Sequence, residues 1–197
     1  ATLVATTFHD MFYRLRTLHA DPHAGNYLFR PDGGMGLLDF GCVKRFDLYW
    51  TGRYARMARA IVQDDTPEFV RQARAIGVLH SDDPESIAIL TEFAQIICVP
   101  LRVPTYRCGT DDDDVLSQVK KIVPRTLRRP DIRSPRELVF LHRALGGVYS
   151  MLRRLGHHYS YSSLFSAHAN HAIAVADGTV EDGSPLDFDP WAHLGAD

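Results

Sequence analysis

One stretch constrains this 197-residue chain more than its composition does: HADPHAGNYLFRPDGGMGLLDFG, residues 19–41. It sets His19, Asp21 and Asn26 in an H-x-D-x-x-x-x-N spacing and follows them with Asp39-Phe40-Gly41. Two short apolar runs, Tyr27-Leu28-Phe29 and Met35 to Asp39, flank the turn signal Pro31-Asp32-Gly33-Gly34. That pattern predicts a two-stranded hairpin over 27–39. A hairpin brings the start of its first strand beside the end of its second, so Asn26 and Asp39 face one gap.

The rest of the sequence reads as helix. Residues 1–18 carry apolar positions at helical spacing, as do Trp50, Tyr54, Met57 and Ile61. Thr66-Pro67 and Asp83-Pro84 open two more helices, followed by stripes at Phe69, Ala73, Ile76 and at Ile87, Leu90, Ala94, Ile97. A helix is expected from Val115, kinked or split by Pro124. The clearest spans 136–155, with Leu138, Leu141, Leu145, Val148, Leu152 and Leu155 in phase. Its Gly146-Gly147 pair is expected to admit a neighbouring helix. A last helix covers 162–176, and residues 177–197 read as a loosely packed tail. The fold class is mainly α with a small β-hairpin.

The spacing has a chemical meaning. It matches the catalytic loop and metal-binding motif of phosphoryl-transfer enzymes. Mg²⁺ takes oxygen ligands and neutralises phosphate charge. Asn26 and Asp39 can supply such ligands, and Asp21 can orient a hydroxyl or water for attack. Gly25 and Gly41 let the backbone approach phosphate and metal closely. Each of these residues alone is a common turn former. Together they arise by chance in only about a few chains per million, which favours the chemical reading. Two features separate the segment from ordinary protein kinases. His23 stands where those enzymes carry Lys, and Ala20 where they carry Arg. No A-P-E motif follows, and little chain separates Gly41 from the next helix, so a peptide acceptor is disfavoured.

The segment HADPHAGN…LLDFG, with LHRALGG at 141–147, resembles the UbiB/ADCK (AarF-domain) family of atypical kinase-like proteins. The resemblance implies the C-lobe of a protein-kinase-like α+β fold over 1–176, with catalytic loop 19–26, DFG at 39–41 and helical body 48–176. It implies ATP and Mg²⁺ as cofactors, Asp21 and His23 as catalytic, and Asn26 and Asp39 as metal ligands. Leu28 becomes the floor beneath adenine, and Gly41 belongs to the nucleotide site. It further implies quinone-lipid biosynthesis, with membrane lipid or quinone precursors and biosynthetic proteins as partners. The family's K-x-G-Q extension, Ala-rich loop, strand Lys and helix Glu are not found. The chain opens at Ala1 inside a helical pattern, so it reads as a C-lobe whose N-lobe is a missing partner and which alone is inactive. Ala24 replaces the family's more frequent Pro. The alternatives are a phosphotransferase of aminoglycoside or choline kinase type, or a non-catalytic nucleotide- or protein-binding module.

Composition narrows the classes. Lys+Arg number 22 against 24 Asp+Glu, a net charge of −2, which disfavours nucleic acid. Three cysteines suit a reduced, intracellular setting, cytoplasmic or peripheral to a membrane (mitochondrial matrix or plastid in a eukaryote). No apolar run reaches the ~20 residues of a membrane span. Asp111 to Asp114 read as helix N-terminal acids balancing Lys120, Lys121, Arg125, Arg128 and Arg129 downstream. Those bases read as a solvated face rather than a lipid patch. His157, His158, His168 and His171 read as packing residues or polar surface rather than zinc ligands. Cys42 reads as a small buried filler.

Overall fold

The computed structural model describes residues 1–193. Helix α1 (Thr2–His9) runs on as a π-turn over Asp10–Arg14 and feeds strand β1 (Thr17–His19). Strands β2 (Tyr27–Phe29) and β3 (Met35–Leu37) form the expected hairpin, with Tyr27 opposite Leu37 and Leu28 opposite Gly36. Strand β4 (Val43–Arg45) then pairs antiparallel with β1, Leu18 opposite Lys44. The expectation that everything after the hairpin is helical is therefore corrected at β4. It is corrected again at β5 (Tyr106–Arg107), which pairs with β6 (His158–Tyr159). Strands of two or three residues are too short to show a period of two.

The body is α2 (Leu48–Val62), α3 (Thr66–Ala75), α4 (Pro84–Ile97), α5 (Val115–Leu127), α6 (Arg136–Arg154) and α7 (Tyr161–Ala176). Asp47, Asp65 and Asp83 cap α2, α3 and α4 by accepting from backbone N–H groups, the role that short acidic side chains fill at helix starts. Helix α5 continues through Pro124 without splitting. The core joins Phe12 to Phe46, Trp50 and Tyr54 in edge-to-face contacts, with Leu18, Leu141, Leu164 and Phe165 fully buried around them. The architecture is mainly helical with small antiparallel strand pairs.

Packing changes two expectations. Asp113, read as one of four equivalent helix-terminal acids, is buried and accepts hydrogen bonds from Tyr106, Tyr149, the Gly109 N–H and Arg153. Cys42 is half-buried rather than buried, and its carbonyl accepts from the Ala20 N–H. The tail is mostly exposed yet tied to the body: Arg16 grips Asp182 with two hydrogen bonds, and Tyr159 donates to the Pro190 carbonyl. Residues 194–197 of that tail lie outside the described residues. Arg125 pairs with Glu92 and Arg129 with Glu85, so part of the basic cluster is engaged in surface ion pairs.

The glycine pair of α6 divides. A Cβ on Gly147 would lie 2.6 Å from Pro22 Cγ and 2.7 Å from the Pro22 carbonyl oxygen, so the close neighbour is the loop after β1 and not a helix. A Cβ on Gly146 meets nothing within 4 Å. Gly146→Ala is therefore expected to stabilise the fold by up to about 1 kcal/mol, the helix-propensity difference. Gly147→Ala is expected to destabilise it by about 1–3 kcal/mol, the usual range for overpacking. Urea denaturation of both variants checks this; equal effects would show that Pro22 does not press on α6.

Candidate active site

The residues of the sequence motif meet at the open end of the β2–β3 hairpin. The Leu38 N–H donates to the Asn26 carbonyl at 2.8 Å, carrying the ladder one step past the strands and setting Asp39 just beyond Asn26. Asn26 is buried, and its Nδ2 donates to the Asp21 carbonyl at 3.0 Å, which closes the loop between them. The Asn26 Oδ1 takes no hydrogen bond among the described residues. Asp39 is exposed with φ of 54°, a left-handed conformation uncommon outside glycine. Its Oδ1 accepts from the Gly41 N–H at 3.1 Å, and a Cβ on Gly41 would lie 3.0 Å from that oxygen. Glycine at 41 thus leaves room for the turn that presents the carboxylate.

His19 ties the two halves of the motif together. It is buried, its Nε2 donates to the Asp39 carbonyl at 2.8 Å, and its Nδ1 accepts from the Asp21 N–H at 3.4 Å. One neutral imidazole, protonated on Nε2, satisfies both contacts. Its ring also meets Phe40 edge-on at 6.0 Å, while Phe40 itself is exposed. His19 lies at the end of β1, held by β4, so the strand pair missing from the sequence reading is what fixes this link.

Asp21 faces solvent beside two cationic or potentially cationic groups. Arg143 of α6 donates to its Oδ1 at 2.9 Å, and His23 Nε2 lies 3.8 Å from Oδ2. His23 is exposed and accepts the Gly25 N–H on Nδ1, which directs Nε2–H toward the carboxylate. Both members of the Arg143–Asp21 pair are half-exposed, so its worth to stability is small and its effect is on the placement of Asp21. Leu28 is 56% exposed on the same hairpin, an open apolar surface. Arg143, Gly147 and Pro22 were absent from the candidate set. Pro22 stands inside the quoted HADPHAGN, and the trace of Arg143 and Gly147 is that LHRALGG keeps a charged residue and small residues within a helical stripe.

The donor chemistry fits Mg²⁺: one carboxylate and one carboxamide oxygen, both oxygen ligands, with Asp39 Oδ2 and Asn26 Oδ1 uncommitted among the described residues. No group of three His, Cys, Asp or Glu suited to a metal occurs among them. His157 bonds Tyr161 and Thr2, and His168 bonds the Leu164 carbonyl. No helix among the described residues is long and apolar enough to cross a membrane.

Comparison with known proteins gives a family model and several relatives. Residues 1–73 match the ABC1 atypical kinase-like domain. The chain is 23% identical over 180 residues to "Atypical kinase coq-8, mitochondrial" of Caenorhabditis elegans, a match covering 88% of this chain and 23% of that protein. It is 29% identical over 87 residues to "Putative ABC1 protein At2g40090" of Arabidopsis thaliana, covering 38% and 16% of the two chains. Among solved structures, the fold is similar to that of Rv3197 of Mycobacterium tuberculosis, described in complex with erythromycin. The TM-score is 0.63 at 22% identity, over 83% of this chain and 41% of that one. The chain thus spans about a quarter or less of the length of these curated relatives.

Proposed function

We propose that this chain, a member of the ABC1 (UbiB/ADCK) family of atypical kinase-like proteins, forms the catalytic-loop face of a Mg·ATP-dependent phosphotransferase or ATPase. The observation that carries the reading is His19, which holds the Asp21 backbone and the Asp39 backbone in one hydrogen-bonded unit. Catalysis of phosphoryl transfer is mostly positioning and electrostatics, and such a link supplies positioning. In this reading Asn26 and Asp39 hold Mg²⁺, which when bound neutralises charge on the phosphates. Asp21 accepts the proton of the attacking hydroxyl or water at a carboxylate oxygen. Arg143 and His23 flank that carboxylate and offer N–H donors to phosphate oxygens. Leu28 gives adenine an apolar seat, and Gly41 keeps the backbone clear of the nucleotide.

The acceptor is a small molecule or lipid, or water, rather than a peptide. Only six residues separate Gly41 from α2, and β4 occupies half of them, which leaves no peptide-positioning segment. An N-lobe completing the clamp over the phosphates, quinone-lipid biosynthesis as the setting, and lipid, quinone precursors and biosynthetic proteins as partners belong to the same proposal. They rest on the family resemblance. The nematode relative is described as mitochondrial, which supports a mitochondrial or peripheral-membrane site for a eukaryotic protein of this kind.

Asp39→Asn tests the metal half of the reading. It keeps size and removes the charge that attracts Mg²⁺, so Mg·ATP affinity is expected to fall tenfold or more, about 1.4 kcal/mol. Titration calorimetry of both proteins measures it. Equal affinities would remove Asp39 from the metal site.

A further inference from the structure

Within the helical body, behind α6, lies a cavity of about 230 Å³. Phe8, Phe93, Leu145 and Phe165 contribute to its wall, drawn from α1, α4, α6 and α7. Along α6 at about 100° per residue, His142 and Leu145 fall on the face opposite Arg143 and Gly147. The cavity and the catalytic loop therefore lie on opposite sides of one helix.

Three oxygen- or nitrogen-bearing side chains on this wall have no hydrogen-bond partner among the described residues, the hydroxyls of Tyr13 and Tyr54 and the imidazole of His142, and the weakly polar Cys98 thiol lies near both tyrosines. Their neighbours in the same wall are committed, Tyr149 to Asp113, Tyr161 to His157, and His9 Nδ1 to the Ala5 carbonyl. Burial raises both phenols far above neutral pH and pushes His142 down to about 4, so all three are uncharged. Neutral phenol and imidazole groups can engage a hydroxyl or a carbonyl. A charged guest would find no counter-charge there and would lose its hydration. Tyr54 and His142 also border a second cavity of about 40 Å³, which gives their rings room to adjust.

We propose that this cavity binds a neutral, mainly hydrocarbon molecule carrying one hydroxyl or carbonyl oxygen, held by Tyr13, Tyr54 and His142. Roughly 150 Å³ of apolar cavity accepts benzene, so this volume suits about nine to eleven non-hydrogen atoms. The inference stands independently of the nucleotide reading.

The probes are menthol and p-menthane, which share a carbon skeleton and differ by one hydroxyl. Calorimetric titration of the 197-residue chain is expected to show saturable one-to-one binding of menthol, at least fivefold tighter than p-menthane. The double variant Tyr54→Phe/His142→Phe is expected to bind the two alike. Leu145→Trp, which fills the cavity, is expected to bind neither while retaining its near-ultraviolet circular dichroism. Absence of saturable binding by the unaltered chain, equal affinities for the two probes, or undiminished binding by folded Leu145→Trp overturns the proposal. Should Leu145→Trp fail to fold, the comparison of menthol with p-menthane on the unaltered chain and the double variant still decides.

Discussion

Acidification from pH 7 to pH 5 is expected to remove several kcal/mol of folding stability. Burial pushes His9 down to about 3, with the neighbouring His168 adding to the shift, and burial likewise pushes His142 and His157 to about 4. All three lie below the ordinary value of 6.5. The unfolded chain therefore binds protons that the folded chain refuses, from about pH 6.5 down to each folded value. In that window stability falls as pH falls, by about 1.4 kcal/mol per pH unit for each histidine. His9 and His142, the two most enclosed, give a slope approaching about 3 kcal/mol per unit below pH 6 by the same linkage, and His157, more open to solvent screening, adds less, against a total of about 5–15 kcal/mol for a domain. Urea midpoints at pH 7, 6 and 5 measure the slope. A flat profile over that range would mean that these imidazoles are protonated in the folded state.

Asp113→Asn is expected to cost about 3 kcal/mol. The Asp113 carboxylate is buried, and the hydrogen bonds from Tyr149, Gly109 and Tyr106 with the Arg153 charge hold its pKa below 3.8 against the opposing effect of burial. Loss of the charge weakens four donors at once and leaves the partly buried Arg153 without its counter-ion. The site also fastens the segment before α5 to the end of α6. Gly109, at φ of 83°, sits so near the Arg153 carbonyl that a Cβ would lie 2.3 Å from it. The exposed Asp112 is the control, since Asp112→Asn should change stability by no more than about 0.5 kcal/mol. Denaturation of the two variants separates a buried anchor from a generic helix-terminal acid; similar small losses would contradict the anchor. Because its folded pKa is lowered, the contribution of Asp113 is present above pH 3.8 and fails only as pH drops through the folded value. It adds to the acid limb after the histidines have acted.

The hairpin and its flanking motif were legible because they rest on local chemistry: a turn of Pro, Asp and Gly between apolar runs, and candidate site residues at fixed offsets. The longer helices were legible through their apolar stripes, down to the stripe of α6. What was not legible depends on contacts distant in sequence. The β1–β4 pair joins three-residue segments that carry no alternation, yet it seats His19. Arg143 reads as a solvent-facing helix residue until α6 is laid against the loop containing Asp21. Gly146 and Gly147 are indistinguishable as letters, and only Pro22 sets them apart. Four consecutive aspartates look alike, and the partners from β5 and α6 single out Asp113. The cavity depends on how six helices meet, for which no single helix holds a signal.

The most direct measurement of the nucleotide site is paramagnetic line broadening by Mn²⁺ in the presence of ATP, read on the assigned amide spectrum of this chain. Mn²⁺ substitutes for Mg²⁺ at oxygen sites, and broadening detects weak binding as well as tight. Signals of residues 21–28 and 38–41 are expected to broaden first, Asn26 and Asp39 among them, and the Asp39→Asn variant is expected to lose the effect. Uniform broadening, or broadening centred on the exposed acids Asp111, Asp112 and Asp114 while the hairpin signals stay sharp, would show that the motif does not hold the metal–nucleotide complex.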